Sequence, residues 1–358
     1  HLIFIVKIKI IMKVCILGNG LTSLMLATAL VNKEIFVDII LTDKIKYFNK
    51  GRTLGISKTN IEFINKDIFD IAKFLWNIDK IEVYSQKLKI EKILNFENKN
   101  GNLFSIIKNH KLINHLIKKL NKNNFCHFKK KIITEDTMNN YNLVINCDSS
   151  NPITKKFFSK KMKKNYESYA YTSIINHQKL ANNNVAVQIF TEIGPLAFLP
   201  VSETETSVVY SARGNKNLNL SETIKNYNTK YKIKKFTEPY LFELKSSNLR
   251  NYYYKNVLAF GDLLHKIHPL AGQGFNMTIR DIKELIKLIK YKLDRGLEID
   301  SSICADFEKN TKHKNYLFSN GIDFIYEFFH LENKIQSNIF SKSVKFVGRN
   351  KTLNGIFK

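Results

Sequence analysis

At 358 residues, with 44% hydrophobic and 12% aromatic side chains, the chain is too apolar for wholesale disorder and long enough for one large domain or two interleaved ones. Its formal charge of +26, from 57 Lys and Arg against 31 Asp and Glu, favours partners of negative charge. The lysines are spread evenly among Asn and Ile, and runs such as Phe128–Ile132 and Ser159–Asn165 lack interleaved aromatics. That pattern argues against nucleic acid and leaves two readings, a solvated basic surface or contact with an anionic membrane face.

In chain order, His1–Ile11 has neither a basic lead nor a small-residue cleavage site, so it is read as sequence upstream of an initiating Met12. No apolar run reaches the roughly 18 residues of a spanning helix. Lys13–Asn32, KVCILGNGLTSLMLATALVN, reads as an apolar strand, a glycine turn and a helix whose inward positions include Leu21, Leu24, Met25, Ala27 and Leu30. Gly18 and Gly20 match a Gly-x-Gly-x-x-Gly fingerprint, with Ser23 at the third position, as a strand-turn-helix that cradles a pyrophosphate requires. Ile35–Leu41 reads as the second parallel strand. Asp43 follows it, 25 residues beyond Gly18, either as the acid for an adenosine ribose or as an exposed turn aspartate.

Tyr141–Cys147 and Asn256–Asp262 read as further buried strands, each leading to an aspartate, Asp148 and Asp262. Between them Val185–Phe190, Leu196–Val201 and Ser207–Arg213 read as an antiparallel sheet. From Asp281 the period is helical, with Ile282, Leu285, Ile286, Leu288, Ile289 and Leu293 on one broad face. Cys15, Cys126, Cys147 and Cys304 show no Cys-x-x-Cys spacing, which disfavours a disulfide framework and suits a reducing cytosol.

The densest local signal is Phe260–Asp281, FGDLLHKIHPLAGQGFNMTIRD. Gly261–Asp262 would set a carboxylate at the carboxyl end of a parallel strand. Gly272–Asn276 would present free backbone N–H groups at a helix start. Two anion-favouring helix termini in one chain suit a long cofactor with two polar regions, such as a dinucleotide bearing a redox ring. His265 and His268 have His-x-x-His spacing. Metal binding needs a third ligand, and no acidic partner is spaced to help, so packing at the strand end is preferred and no metal is assigned.

Taken in order, these blocks resemble the FAD-dependent aromatic monooxygenases, in particular the hydroxylases of ubiquinone biosynthesis. Gly18–Ala27 is similar to the family's dinucleotide fingerprint, and Gly51–Ser57 (GRTLGIS) to its Arg-x-Leu-x-Leu-Ser segment. Leu75–Gln86 is similar to the strand that enters the substrate domain, and Thr191–Val201 to a Gly-Pro-Leu-Ala-x-Leu-Pro run. Gly261–Asp281 matches the family's Gly-Asp…His-Pro-Leu-Ala-Gly-Gln-Gly motif almost throughout. The chain departs at Ser23, at Asn146-Cys147-Asp148-Ser149 where the family has Gly-Ala-Asp-Gly, and at Gln188-Ile189 where it has Gln-Arg.

The resemblance implies an α/β fold in which a Rossmann-like FAD-binding domain (12–75, 105–160 and 250–300) interleaves with an antiparallel-sheet substrate domain (76–104 and 161–249), followed by a helical C-terminal segment (301–358). It implies FAD reduced by NAD(P)H or another reductant, reaction with O2, and oxygen transfer from a flavin C4a-hydroperoxide to the ring of a polyprenylated phenol. The implied cofactor residues are Gly18, Gly20, Leu21, Thr22, Ser23, Asp43, Arg52, Asp148, Gly261, Asp262, Gly272, Gln273, Gly274, Phe275 and Asn276. Asp262 would hold the ribityl chain, while Pro269 and Gln273 would lie at the reacting face. A cytoplasmic location at the inner face of the plasma membrane, and membership of a ubiquinone-biosynthesis complex, are further expectations. The aromatic and lysine-rich tail Tyr316–Val347 reads either as a membrane-leaning segment or as an ordinary packing helix. Competing functions are a reductase or epoxidase of isoprenoid lipids and a non-catalytic flavin-binding subunit.

Overall fold

The structure is a computed structural model, and it describes residues 12–41, 50–86, 90–97, 101–130, 133–214, 217–268 and 273–334. Asp43, Pro269, Gly272, His1–Ile11 and the tail beyond Lys334 lie outside the described residues.

Short runs of β-branched and aliphatic residues build a six-stranded sheet: β1 (Lys13–Leu17), β2 (Phe36–Ile40), β8 (Cys126–Lys129), β9 (Leu143–Asn146), β16 (Tyr253–Tyr254) and β17 (Val257–Ala259). The order is β16-β17-β9-β1-β2-β8, parallel throughout except for the β16–β17 pair. Val14–Leu17, Val37–Ile40 and Leu143–Asn146 are buried at every position. Both faces of a parallel sheet are covered, which is why these strands read as mainly apolar runs without alternation, broken only by the buried Asp38 and Asn146. The strands expected at Ile35–Leu41, Tyr141–Cys147 and Asn256–Asp262 are all present, trimmed at their ends.

Helix α1 (Leu21–Val31) is buried on all sides from Ser23 onward, between this sheet, α3 (Asn109–Asn121) and α7 (Gln273–Leu293). A helix apolar all round belongs in an interior, whereas α3 shows the stripe of a covering helix, with Leu112, Ile113, Leu116 and Leu120 inside and Lys118 and Lys119 in its last turn. The shorter helices are α2 (Lys58–Asp67), α4 (Glu135–Met138), α5 (Pro152–Phe157) and α6 (Leu220–Tyr227). Helix α5 begins where the Asn151 side chain accepts the Ile153 N–H at 2.9 Å and a proline occupies the first turn.

A nine-stranded sheet lies beside the first. Its order is β18 (His265–Lys266), β15 (Tyr240–Leu249), β10 (Lys161–His177), β13 (Glu205–Arg213), β12 (Gly194–Pro200), β11 (Val185–Thr191), β5 (Lys80–Ser85) and β6 (Glu91–Glu97), with β14 (Ile233–Phe236) also on β10. All of these pairs are antiparallel except β5 with β11. One face buries Ile189, Leu196, Phe198, Val208 and Tyr210 against Leu220 and Ile224 of α6. The antiparallel sheet read from the sequence is therefore present.

A third, three-stranded sheet holds β3 (Thr53–Ser57), β7 (Phe104–Lys108) and β4 (Trp76–Ile78). It corrects one expectation. Leu75–Gln86 is not a single strand entering the large sheet. The ladder breaks at Asp79, whose N–H donates to the Asn184 carbonyl at 3.0 Å, and the indole of Trp76 donates to the Asn183 carbonyl at 2.7 Å. Those two bonds turn the chain from one sheet into the other.

Helices α7 and α8 (Ser302–Lys334) pack together. Ile282, Leu285, Ile286 and Ile289 of α7 are buried, and Leu288 and Leu293 are packed at the margin. In α8, Ile303, Cys304 and Phe307 enter the core of the parallel sheet, and Ser319, Ile322 and Tyr326 are buried farther along the helix. The described part of the tail thus packs on its inner side while Leu317 (58% exposed) and Phe324 (65%) face outward. Among the described residues no helix is long and apolar enough to cross a membrane, a statement that does not extend to strands.

Candidate cofactor site

Three strand ends converge at the carboxyl edge of the parallel sheet. Gly18 N–H donates to the Ile40 carbonyl at 3.0 Å, Cys147 N–H to Leu17 at 3.0 Å, and Phe260 N–H to Asn146 at 2.8 Å. This ladder sets Gly18, Cys147–Asp148 and Gly261–Asp262 side by side. The connections from β1 and β9 diverge there, as expected for a ligand crevice in an open α/β sheet.

Two glycines make the close approach possible. Gly18 has φ of +100°, and a Cβ on it would lie 3.4 Å from Asp148 Cβ. Gly261 has φ of +62°, and a Cβ there would lie 2.9 Å from Thr22 Cγ2. Any L side chain at either position would strain the backbone, and at Gly261 it would also push on the first turn of α1. That turn is open to a ligand. Gly20 is its N-cap, no side chain caps it, no acid occupies it, and a Cβ on Gly20 would meet nothing within 4 Å. Its leading N–H groups and helix dipole therefore favour an anion.

The side chains divide by role. Leu21 and Thr22 are half-buried, and Ser23, at the third fingerprint position, is fully buried. Burial pushes the Cys147 thiol up to about 12; the nearby Ser23 hydroxyl opposes the rise, and the charges of Asp262 and Asp148 add to it. Cys147, between the end of β9 and the Asp148 loop, adjoins the crevice and was not among the residues expected there from the sequence. Asp148 is largely occupied by its own loop. Its Oδ1 accepts the N–H and hydroxyl of Ser150 at 2.9 and 2.7 Å, and its carbonyl accepts the Thr154 hydroxyl at 2.6 Å. Asp262 differs: it sits in a short 3-10 turn, Gly261–Leu263, exposed, with no protein partner among the described residues. The guanidinium of Arg52 is likewise exposed and unpartnered among them, while the Arg52 carbonyl accepts the Asn109 N–H at 3.0 Å.

At the start of α7, Gln273, Gly274 and Phe275 are half-buried. Asn276 is buried, and its side chain makes three hydrogen bonds within the protein. Its Oδ1 accepts the Ser57 N–H at 2.9 Å and the Asn60 amide at 2.8 Å, and its Nδ2 donates to the Gly55 carbonyl at 2.9 Å. Its carbonyl also accepts the Asn60 amide at 3.2 Å, so the residue clamps α7 to β3 and α2. The clamp also ties the Arg52 strand to the glycine-rich segment.

The two histidines have separate fates. His265 Nε2 is hydrogen-bonded to Asp281, whose other oxygen accepts the Asn315 amide at 3.0 Å, joining β18, α7 and α8. Asp281 is thus the acidic partner that the sequence reading did not find. His268 stacks on Tyr326 (centroids 4.0 Å apart) and meets Tyr166 edge-on at 5.0 Å. Burial pushes its pKa down to about 3, so it is neutral. Among the described residues there is no cluster of three or more metal-ligating side chains.

The donor set fits a dinucleotide: an uncapped helix start behind glycines for the phosphates, and a free carboxylate past the end of β17, one strand beyond β9, for sugar hydroxyls. Searched against protein-family models, the chain matches none. It is 23% identical over 261 residues, 59% of the chain, to a ubiquinone biosynthesis monooxygenase COQ6 of Schizosaccharomyces pombe. It is 28% identical over 149 residues to the 3-demethoxyubiquinol 3-hydroxylase of Escherichia coli, matching 39% of this chain and 38% of that protein. The match spans only 54% of the yeast protein, so the chain spans about half the length of that relative. Among solved structures, Klebsiella pneumoniae HpxO complexed with FAD and uric acid superposes with a TM-score of 0.75 over 96% of this chain and 95% of its own, at 13% identity. PqsL of Pseudomonas aeruginosa, a probable FAD-dependent monooxygenase, does so with a TM-score of 0.69 over 94% and 99%, at 14% identity. The chain has the fold of the FAD-dependent monooxygenases, and its sequence relatives include hydroxylases of ubiquinone biosynthesis.

Proposed function

We propose that the chain binds FAD and hydroxylates the ring of a polyprenylated phenol in ubiquinone biosynthesis, using O2 and NAD(P)H or another reductant. The observation that carries the proposal is the meeting of the Gly18–Ser23 turn and the Gly261–Asp262 turn at one strand-end crevice, in a chain whose relatives are named for this chemistry. When bound, the cofactor supplies the activated oxygen that the protein's side chains cannot.

The chain's own residues bind and orient. Backbone N–H groups of Leu21, Thr22 and Ser23 hold the pyrophosphate, with Gly18 and Gly20 giving it room. Asp43 serves the adenosine ribose, Arg52 offers a free cation, and the backbone around Asp148 closes the crevice. Asp262 accepts from the ribityl hydroxyls. The N–H groups at Gly272–Asn276 would favour negative charge on the reduced ring, Gln273 would add a side-chain contact, and Pro269 is assigned to the reacting face on the resemblance alone. The division into a discontinuous FAD-binding domain (12–75, 105–160, 250–300), a substrate domain (76–104, 161–249) and a C-terminal segment (301–358) belongs to the same proposal. So do a ubiquinone-biosynthesis complex and peripheral contact with the inner face of a membrane.

The test is purification of the chain, reconstitution with FAD, and NAD(P)H oxidation with and without a prenylated phenol. Phenol-dependent oxidation with a hydroxylated product is expected. A protein that stays colourless after FAD is added, or a flavoprotein that leaves the phenol unchanged, overturns the proposal.

A further inference from the structure

A groove of about 880 Å3 runs between the first half of α8 and the adjoining ends of β10 and β15, and none of its lining residues is a candidate for the cofactor site. Its helical wall carries Glu308, Lys309, Lys312, His313 and Tyr316, which the period of a helix places on one face. The opposite wall presents Arg250 and the side chains of Met162 and Tyr253.

Charge in the groove is unbalanced. Glu308, the one carboxylate among the lining residues, is already engaged by the Lys312 ammonium, and it accepts the Tyr252 N–H at 3.2 Å. Lys312 also lies over the Tyr252 ring, 5.8 Å from its centroid. Arg250 and Lys309 are exposed and have no acidic partner among the described residues. Beside these free cations, apolar side chains face solvent: Met162 is 40% exposed, Tyr253 36% and Tyr316 45%. A merely solvated basic face gains nothing from a concave wall of methionine and tyrosine beside unpaired cations.

We propose that this groove binds one molecule of an anionic amphiphile, with a phosphate or carboxylate head at Arg250 and Lys309 and an aliphatic chain laid along Met162, Tyr253 and Tyr316. The volume falls in the range of small-molecule sites, about 300–1,000 Å3, and the lining sets apolar side chains beside polar groups that can fix orientation. Arg250 can pair with two oxygens of the head at once. A bilayer surface is broad and would engage protruding side chains rather than a recess, which favours a single bound molecule over a membrane face.

The test is titration of the full chain with monomeric n-dodecyl phosphate, followed calorimetrically, with inorganic phosphate, dodecyl maltoside, and vesicles of phosphatidylcholine and phosphatidylglycerol as separate arms. Saturable one-to-one binding of dodecyl phosphate is expected. The paired variant Arg250→Gln with Lys309→Gln should weaken it at least about tenfold (~1.4 kcal/mol), and Tyr316→Ala should weaken it while leaving the melting temperature unchanged. The proposal is overturned by absence of binding, by equal affinity in the charge-removed variant, or by equal affinity for the neutral maltoside. It is also overturned if inorganic phosphate binds as tightly, or if the chain binds vesicles alone.

Discussion

Replacing Asn276 by alanine separates two roles available to a residue in the first turn of α7, holding the fold and touching a ligand. Its side chain makes three hydrogen bonds, to the Ser57 N–H, the Asn60 amide and the Gly55 carbonyl, and the residue is only 6% exposed. Alanine removes all three and leaves a strand donor, a strand acceptor and a buried amide facing a methyl group. At about 1 kcal/mol net per bond, and ~1–3 kcal/mol where a group is left unpaired, the loss is about 3 kcal/mol. That is a large part of the roughly 5–15 kcal/mol by which domains are stable. Aspartate keeps the shape but sets an oxygen against the Gly55 carbonyl, so it is expected to cost at least as much. The assay is urea unfolding of the flavin-free protein, in which the Asn276→Ala midpoint should fall with an unchanged slope. A wild-type midpoint, with loss confined to FAD retention, would refute the clamp and make the side chain a cofactor ligand.

Gly261→Ala should cost ~1–2 kcal/mol for the left-handed backbone alone and displace the first turn of α1, so FAD affinity falls as well; wild-type stability together with wild-type affinity contradicts the packing described. Asp262→Ala should abolish FAD retention with no change in the stability of the flavin-free protein, because the carboxylate is exposed and unpartnered; unchanged flavin content refutes its role. Asp38 is 1% exposed in β2, and burial alone would lift its pKa, but hydrogen bonds from Lys129, Tyr141 and Lys13 hold it below the ordinary carboxylate value. A depressed folded pKa contributes stability above the unfolded value of about 3.9, and that stability is lost as pH falls through the folded value. The stability gap between wild type and Asp38→Asn should therefore be largest near neutral pH and shrink in acid; a gap independent of pH would show that the charge is not what matters.

What could be read from the sequence was local. The β1–Gly18–Gly20–α1 unit declares itself within 20 residues because strand, turn and helix signals are contiguous. The parallel strands do so because burial on both faces leaves few polar positions, Asp38 and Asn146 being the buried exceptions. The antiparallel sheet was legible from its β-branched runs, but the break at Asp79 was not, because the bonds that cause it come from Asn183 and Asn184, more than a hundred residues away. The same holds for Asn276. Its place in a glycine-rich motif points to a ligand, whereas its side chain is held by Ser57 and Asn60, 219 and 216 residues distant in sequence. Asp281 as the partner of His265 was hidden for a related reason: it lies on a helix that folds back over the strand end. Asp148 is the opposite case. The Asp-Ser-Ser sequence already signals a side chain that caps its own turn, and the motif reading overrode that signal.

The proposed reaction transfers an oxygen atom from O2 to a phenol ring. The most direct measurement is mass spectrometry of the product formed by the FAD-loaded chain with reductant, a prenylated phenol and isotopically heavy dioxygen. One heavy oxygen is expected in the ring-hydroxylated product, and none when the Asp262→Ala protein is used. A product whose new oxygen comes from water, or phenol recovered unchanged from a fully flavin-loaded protein, would contradict the proposal.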